Sequence, residues 1–248
     1  MYKNLLILLV LLHVLGDFYL QTDMISEKKI FRYQYVLLHS VIYAAVFCVG
    51  TIPIWSPQIA VAISALSVLH FLIDSAKYLY SKQYHHVSES FVYCTDQCLH
   101  ILSLIIIVVI FKYLNYNIAF LPGAESFLNL FAGHGTAVLR WACMILIVCR
   151  PANITIKKLL FKYKPGSKDR NDDHTVKNVG AFIGTLERMI IVLLLSVNQY
   201  AAIGLVLTAK SVARYDKISK DPPFAEYYLL GTLLSTLLVI LTYLLFCK

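Results

Sequence analysis

The chain has 248 residues, of which 59% are hydrophobic and only 15% charged, with a mean hydropathy of +0.69. Soluble domains carry roughly 45–50% apolar and about 25% charged residues, so a water-soluble globule is excluded, and with it a disordered chain or a disulfide scaffold. The net charge of +8 reads as membrane orientation signal rather than as a nucleic-acid footprint, and no sequence-specific nucleic-acid binding is expected.

Apolar runs of membrane-spanning length recur along the chain. The expected fold class is therefore all-α, a polytopic helical membrane protein with about 7–8 transmembrane helices. The first run, MYKNLLILLVLLHVLGDF, has the charge and apolar core of a signal peptide. It lacks a small-residue cleavage site and carries His13 and Asp17, so it reads as a retained helix over 4–21. Further spans are expected at 35–53, 58–80 and 91–114, followed by a polar loop at 115–135. A fifth span over 136–150 is expected to stop at Arg150-Pro151, because proline disfavours helix in the residue before it. The basic stretch 150–178 reads as a cytosolic loop, with a short amphipathic helix at 153–163. A sixth span covers 179–197, a short apolar run at 201–214 reads as a tilted or partial crossing, and a last span covers 225–247. The chain thus divides into a four-helix half at 1–114, an outer loop and fifth span at 115–149, the basic loop at 150–178, and C-terminal hairpins at 179–248.

Placing the N-terminus outside puts the loops at 22–34, 81–90, 150–178 and 209–224 in the cytosol, with most of the 22 Lys and Arg. The positive-inside rule selects that orientation. The expected location is the inner (cytoplasmic) membrane of a bacterium, multi-pass, with the lipid bilayer as the first partner.

Charged groups within spans cost roughly 2.5–3.5 kcal/mol each on insertion scales, yet this chain repeats them in one format. Span 1 carries His13, Asp17 and Gln21; span 3 carries His70, Asp74 and Lys77; span 4 carries Asp96, Gln97 and His100; and His39 enters with span 2. The i, i+4 spacing sets His and Asp one above the other on a helix face. Spans 1 and 3 run inward and span 4 runs outward. The reversed order Asp96…His100 therefore keeps every His deeper than its Asp. Four His and three Asp are expected to meet in one pocket open to the cytosol. Three chemistries use such a set: helix–helix hydrogen bonding, a proton or ion relay, and a metal centre. The metal centre is the favoured reading, with His13, Asp17, His39, His70, Asp74, Asp96 and His100 as ligands and Gln21, Gln97 and Glu187 in support. His85, His86, His134 and His174 are left outside the site. A second polar set, Glu187, Arg188, Arg150, Lys210 and Arg214, reads as a cationic wall that holds an anion, against the plainer reading that Arg150, Lys210 and Arg214 snorkel to headgroups.

At HVLGDFYLQ, HFLIDSAK, DQCLH, GAFIGTLER and AEYYLLGTLLS the chain resembles, over nearly its full length, a bacterial membrane-protein family known as domain of unknown function 3307. That resemblance implies a membrane protein and no activity. More loosely, the His/Asp pairs look like those of prophage-type membrane-bound metal-dependent hydrolases.

The expected function is a membrane-embedded metal-dependent hydrolase. It would act from the cytosolic side on a phosphoester or another anionic substrate, such as an anionic lipid or a phosphorylated small molecule. One or two transition ions, Zn²⁺ or Mn²⁺ foremost, suit the mixed N/O donors. Asp17, Asp74 and Asp96 supply ligands and a general base, and Lys77 and Arg188 hold the anion. The alternatives are a transporter or channel for protons, metal ions or a small anion, and a non-catalytic membrane partner protein. Homo-oligomers fit any of the three.

Overall fold

The computed structural model describes residues 2–84, 88–121, 123–124, 126, 135–164 and 179–247. His85, His86, His134 and His174, and the part of the basic loop beyond residue 164, lie outside the described residues. The described residues form helices and their connections, without strands. Residues 1–143 and 144–248 form two compact units.

In the first unit, α1 (Tyr2–Val14) runs into a π-helical turn at Leu15–Tyr19, and a short α2 (Asp23–Lys28) follows. Then come α3 (Tyr33–Gly50), α4 (Pro57–Gln83) and α5 (Glu89–Tyr113). The chain marks these ends chemically. Thr22 caps α2 by accepting from the Ile25 amide at 3.3 Å. Ser56 caps α4 by accepting from the Ile59 amide at 3.2 Å, with Pro57 in the first turn, where its missing N–H costs nothing. After α5, Asn115 adopts φ 52°, and the Tyr116 amide donates back to Phe111 O at 3.0 Å, a left-handed helix stop that asparagine tolerates.

α1 packs against α3 and α5, and α4 packs against the same two, so the four helices close into a ring. The ring's interior has two halves. Leu5, Leu9, Ile59, Ile63, Ile107 and Phe111 bury one half as ordinary apolar core. His13, His39, His70, Asp74, Asp96 and His100 fill the other. Outside, the pattern inverts: Val41, Val61, Leu72, Ile106 and Val109 are exposed. A surface this apolar around a polar interior is the reverse of a water-soluble fold.

The second unit contains the rest of α6 (Gly135–Leu159), then α7 (Val179–Ser196), α8 (Tyr200–Val212), α9 (Tyr215–Lys220) and α10 (Pro222–Phe246). α7 packs against α8 and α10, and α9 against α10. α7 ends as α5 does, with Asn198 at φ 57° and the Gln199 amide donating to Leu194 O at 2.8 Å.

One expectation fails here. The fifth span does not stop at Arg150-Pro151, and no separate helix starts at 153; α6 runs through Pro151 to Leu159. A proline inside a helix frees carbonyls of the preceding turn, and a membrane-type helix tolerates it where neighbours take up those carbonyls. Arg188 Nε donates to Val148 O at 2.8 Å, and Asn153 Nδ2 to Cys149 O at 2.9 Å. The first ten residues of the expected loop at 150–178 are thus helical.

Among the described residues, seven helices are long and apolar enough to cross a membrane: α1 with its π turn, α3, α4, α5, α6, α7 and α10. α8, the expected partial crossing, is a 13-residue helix and falls short of that length.

Candidate metal centre

Each side of the ring delivers its polar side chains by simple helical spacing. α4 buries Ile59, Ile63, Leu66, His70 and Asp74 along one stripe, and α5 buries Asp96, His100, Leu104, Ile107 and Phe111 in the opposite order. α3 contributes His39 and, one turn on, Tyr43. On α1 the π turn falls at Asp17, and the Leu20 amide bonds to Leu15 O, five residues back. Such wide turns recur at functional sites.

All seven expected ligands come together. His39 Nε2 lies 3.0 Å from Asp17 Oδ1 and 3.5 Å from Asp74 Oδ2; His70 Nε2 lies 3.7 and 3.8 Å from the same two oxygens. The two imidazole nitrogens are 3.2 Å apart. His100 Nε2 faces Asp96 Oδ1 at 3.5 Å and Asp74 Oδ1 at 3.9 Å. His13 stands apart in its partners: Nδ1 meets the Tyr43 hydroxyl at 3.2 Å, and Nε2 meets Gln97 Oε1 at 3.3 Å. The four imidazoles are at most 1% exposed.

Gln97 ties the carboxylates together, donating to Asp17 Oδ2 at 3.0 Å and to Asp96 Oδ2 at 3.3 Å. Lys77 donates to Asp96 Oδ2 at 2.7 Å. Gln21 accepts from Lys29 rather than touching the cluster itself.

Two contributors escaped the sequence reading. Lys29, at the end of α2, donates to Asp74 Oδ2 at 3.2 Å. In the sequence it is one more basic loop residue, and only the fold of α2 turns it inward. Tyr43 stacks on His70 with ring centroids 3.6 Å apart and planes 3° from parallel. Its spacing, four residues after His39, was the available signal. Gly16 makes room for that ring: a Cβ there would sit 2.9 Å from Tyr43 Cδ2.

Donors around one ion with bonds of about 2.0–2.2 Å lie roughly 2.8–3.6 Å apart in octahedral or tetrahedral shells. The separations of His39 Nε2 and His70 Nε2 from each other and from Asp17 Oδ1 and Asp74 Oδ2, 3.0–3.8 Å, fall within that range or just beyond it. Three triads have all their donor atoms within 4.8 Å: His13/Asp17/His70, His39/His70/Asp74 and Asp74/Asp96/His100. His39 Nδ1, Asp96 Oδ1 and His100 Nε2 are buried without a hydrogen-bond partner. Buried polar atoms are rarely left so.

Beside Asp74, a cavity of about 50 Å³ is lined by Lys29, Lys77, Tyr78 and Ser81, with Ile30 and Val36.

The expected cationic wall belongs to the second unit, where its members have partners of their own. Arg188 is buried, and its guanidinium donates to Val148 O, Asn153 Oδ1, Thr185 Oγ1 and Ser235 Oγ. Glu187 pairs with Lys210, which also reaches Thr232 Oγ1 at 3.4 Å. Arg214 lies over the Tyr228 ring at 5.9 Å. Arg150 ends the fifth span's expected range but sits inside α6.

No curated protein and no solved structure matches the chain significantly. A family model does match, over residues 5–126, which include all seven clustered His and Asp; GAFIGTLER and AEYYLLGTLLS lie beyond it. Residues 5–126, the segment that builds the cluster, thus match the model of DUF3307, a family of proteins of unknown function.

Proposed function

We propose that the protein is a metal-dependent hydrolase embedded in the cytoplasmic membrane, acting on a phosphoester or similar anionic substrate from the cytosolic side. The observation that carries this reading is the meeting of His39 Nε2, His70 Nε2, Asp17 Oδ1 and Asp74 Oδ2 at ligand-like separations inside a ring of four helices. A divalent ion held there, Zn²⁺ or Mn²⁺ by the mixed N/O donor set, supplies Lewis-acid polarisation of a phosphoryl oxygen and acidifies the attacking water.

The protein's own residues supply the rest. Tyr43 and Gln97 hold His13, and Gln97 holds Asp17, so the first carboxylate is oriented from behind. Lys29 and Lys77 flank the cavity at Asp74 and form the anion seat. We assign the seat to them rather than to Arg188 because they, and not Arg188, line the cavity beside Asp74. The charges agree. With neutral imidazoles, three carboxylates and two ammoniums leave a formal charge of −1. One divalent cation reverses that sign and makes the pocket attract an anion.

The alternative of a transporter would run a path through the same residues. The apolar half of the ring, Leu5, Leu9, Ile59, Ile63, Ile107 and Phe111, favours a pocket with one mouth over a path with two. The positive-inside bias of the loops favours a cytosolic mouth and an outside N-terminus.

The test uses the full chain purified in detergent and loaded with Zn²⁺ or Mn²⁺. Elemental analysis should find bound metal, and p-nitrophenyl phosphate should be hydrolysed. Chelation should abolish turnover and metal should restore it. Lys29→Met should retain the metal and raise KM about tenfold. Protein that takes up no metal, or that drives proton-coupled flux in liposomes without it, would sink the hydrolase.

A further inference from the structure

His70 uses both ring nitrogens on other histidines. Its Nε2 lies 3.2 Å from His39 Nε2, and its Nδ1 lies 3.3 Å from His100 Nδ1. A neutral imidazole has one N–H and one lone pair, so these contacts fix each other. Two buried Nδ1 atoms at 3.3 Å need one proton between them. If His70 ligates through Nε2, its Nδ1 carries the proton and donates to His100 Nδ1. His100 must then carry its own proton on Nε2, which faces Asp96 Oδ1 at 3.5 Å. A protonated Nε2 has no lone pair for a metal.

Resting on the metal-centre reading above, we infer that the cluster holds one cation, not two, ligated by Asp17, His39, His70 and Asp74, and that His100, with Asp96 3.5 Å from its Nε2, supports His70 from behind. The competing second position is the triad Asp74/Asp96/His100. Filling it would demand lone pairs on both Nε2 atoms. Both Nδ1 atoms would then carry protons, and two N–H groups would collide at 3.3 Å in a buried site. Ligating histidines characteristically donate their other N–H to an acceptor that fixes the tautomer. Here the acceptor is a second imidazole, and the next is a carboxylate. Asp96 in turn is fixed by Lys77 at 2.7 Å and Gln97 at 3.3 Å, both on Oδ2, which leaves Oδ1 for His100. The contacts His70–His100–Asp96–Lys77 thus lead from the ion to the lysine at the cavity. His100 and Asp96 are positioning residues, and the sequence-based assignment of both as ligands changes accordingly.

Metal stoichiometry and affinity separate the readings. The wild-type chain should bind one Co²⁺ or Zn²⁺ per polypeptide by elemental analysis and titration. His39→Gln should abolish binding. His100→Gln retains an acceptor for His70 Nδ1–H; it should still bind one ion, about 10–100-fold more weakly, with the visible absorption of the Co²⁺ form unchanged because the ligands are unchanged. Two ions per chain, or a His100→Gln protein that loses metal as fully as His39→Gln or shifts the Co²⁺ spectrum, would overturn the single-ion assignment while leaving the metal centre standing. No metal in the wild-type chain would remove the metal centre itself.

Discussion

The two units solve the same problem, polar groups among apolar helices, in opposite ways. In residues 144–248, Arg188 meets a backbone carbonyl, an amide oxygen and two hydroxyls, each a natural acceptor for a guanidinium. Asn153 links Thr185 to that network and takes up a carbonyl near Pro151. The Arg188 network is closed on itself and holds α6, α7 and α10 together, although Glu187 Oε1 and the Tyr228 hydroxyl elsewhere in the unit are buried without a hydrogen-bond partner. In residues 1–143, groups with similar needs crowd together. Three carboxylates and four imidazoles share two ammoniums, imidazole nitrogens face each other, and three buried polar atoms of the cluster have no hydrogen-bond partner. A network that serves only the fold satisfies its members. One that leaves like groups facing each other is arranged for something that comes between them.

The largest effect should come from the closed network. Arg188→Ala removes a large, fully buried side chain and takes a donor away from four acceptors, at a cost of about 3–5 kcal/mol. Chemical denaturation in detergent would measure it. Metal bound per folded chain should not change. If metal content falls in parallel, Arg188 is part of the site after all, and the contrast between the units fails.

Next in size is Gly16→Ala. The new Cβ meets Tyr43 Cδ2 at 2.9 Å, and Tyr43 can move only by breaking its stack on His70. The loss should be about 1–3 kcal/mol in stability, with metal affinity reduced because His70 is displaced. Gly204→Ala, where a Cβ meets nothing within 4 Å, is the control and should leave both unchanged.

The contrast between the units also explains what could be read from the sequence. Ligand-type residues are conspicuous in an apolar span, and their spacing is enforced by the helix. His13/Asp17, His70/Asp74 and the reversed Asp96/His100 therefore announced their shared depth. Loop charge gave a separate expectation for the directions of the helices. Lys29 was hidden because a loop lysine that turns inward is indistinguishable from one that faces the cytosol. The Arg188 network was hidden for another reason. Its partners, Asn153, Thr185, Ser235 and the Val148 carbonyl, are unremarkable in sequence, and the span that carries Asn153 was cut at Pro151. Proline's cost in a helix interior, about 3 kcal/mol, is local. It was overridden by neighbours that the sequence does not identify, and those same neighbours give Arg188 its acceptors.

The smallest expected effect discriminates best. Asp17→Asn removes one of three crowded carboxylates but keeps the shape, an oxygen to accept from His39 Nε2 or Gln97 Nε2, and the packing of the π turn. In metal-stripped protein most of these hydrogen bonds survive in weaker form, so stability should change by only about 1 kcal/mol. Metal affinity should nevertheless fall at least 100-fold, because a carboxylate ligand has been replaced by a neutral amide. Thermal unfolding with and without Zn²⁺ reads both at once. The wild type should gain stability on adding metal, as any ligand selective for the folded state confers it, and Asp17→Asn should not. A metal-free loss approaching that of Arg188→Ala would mean that the first unit's cluster binds helices together as the second unit's does, and that its crowding is structural.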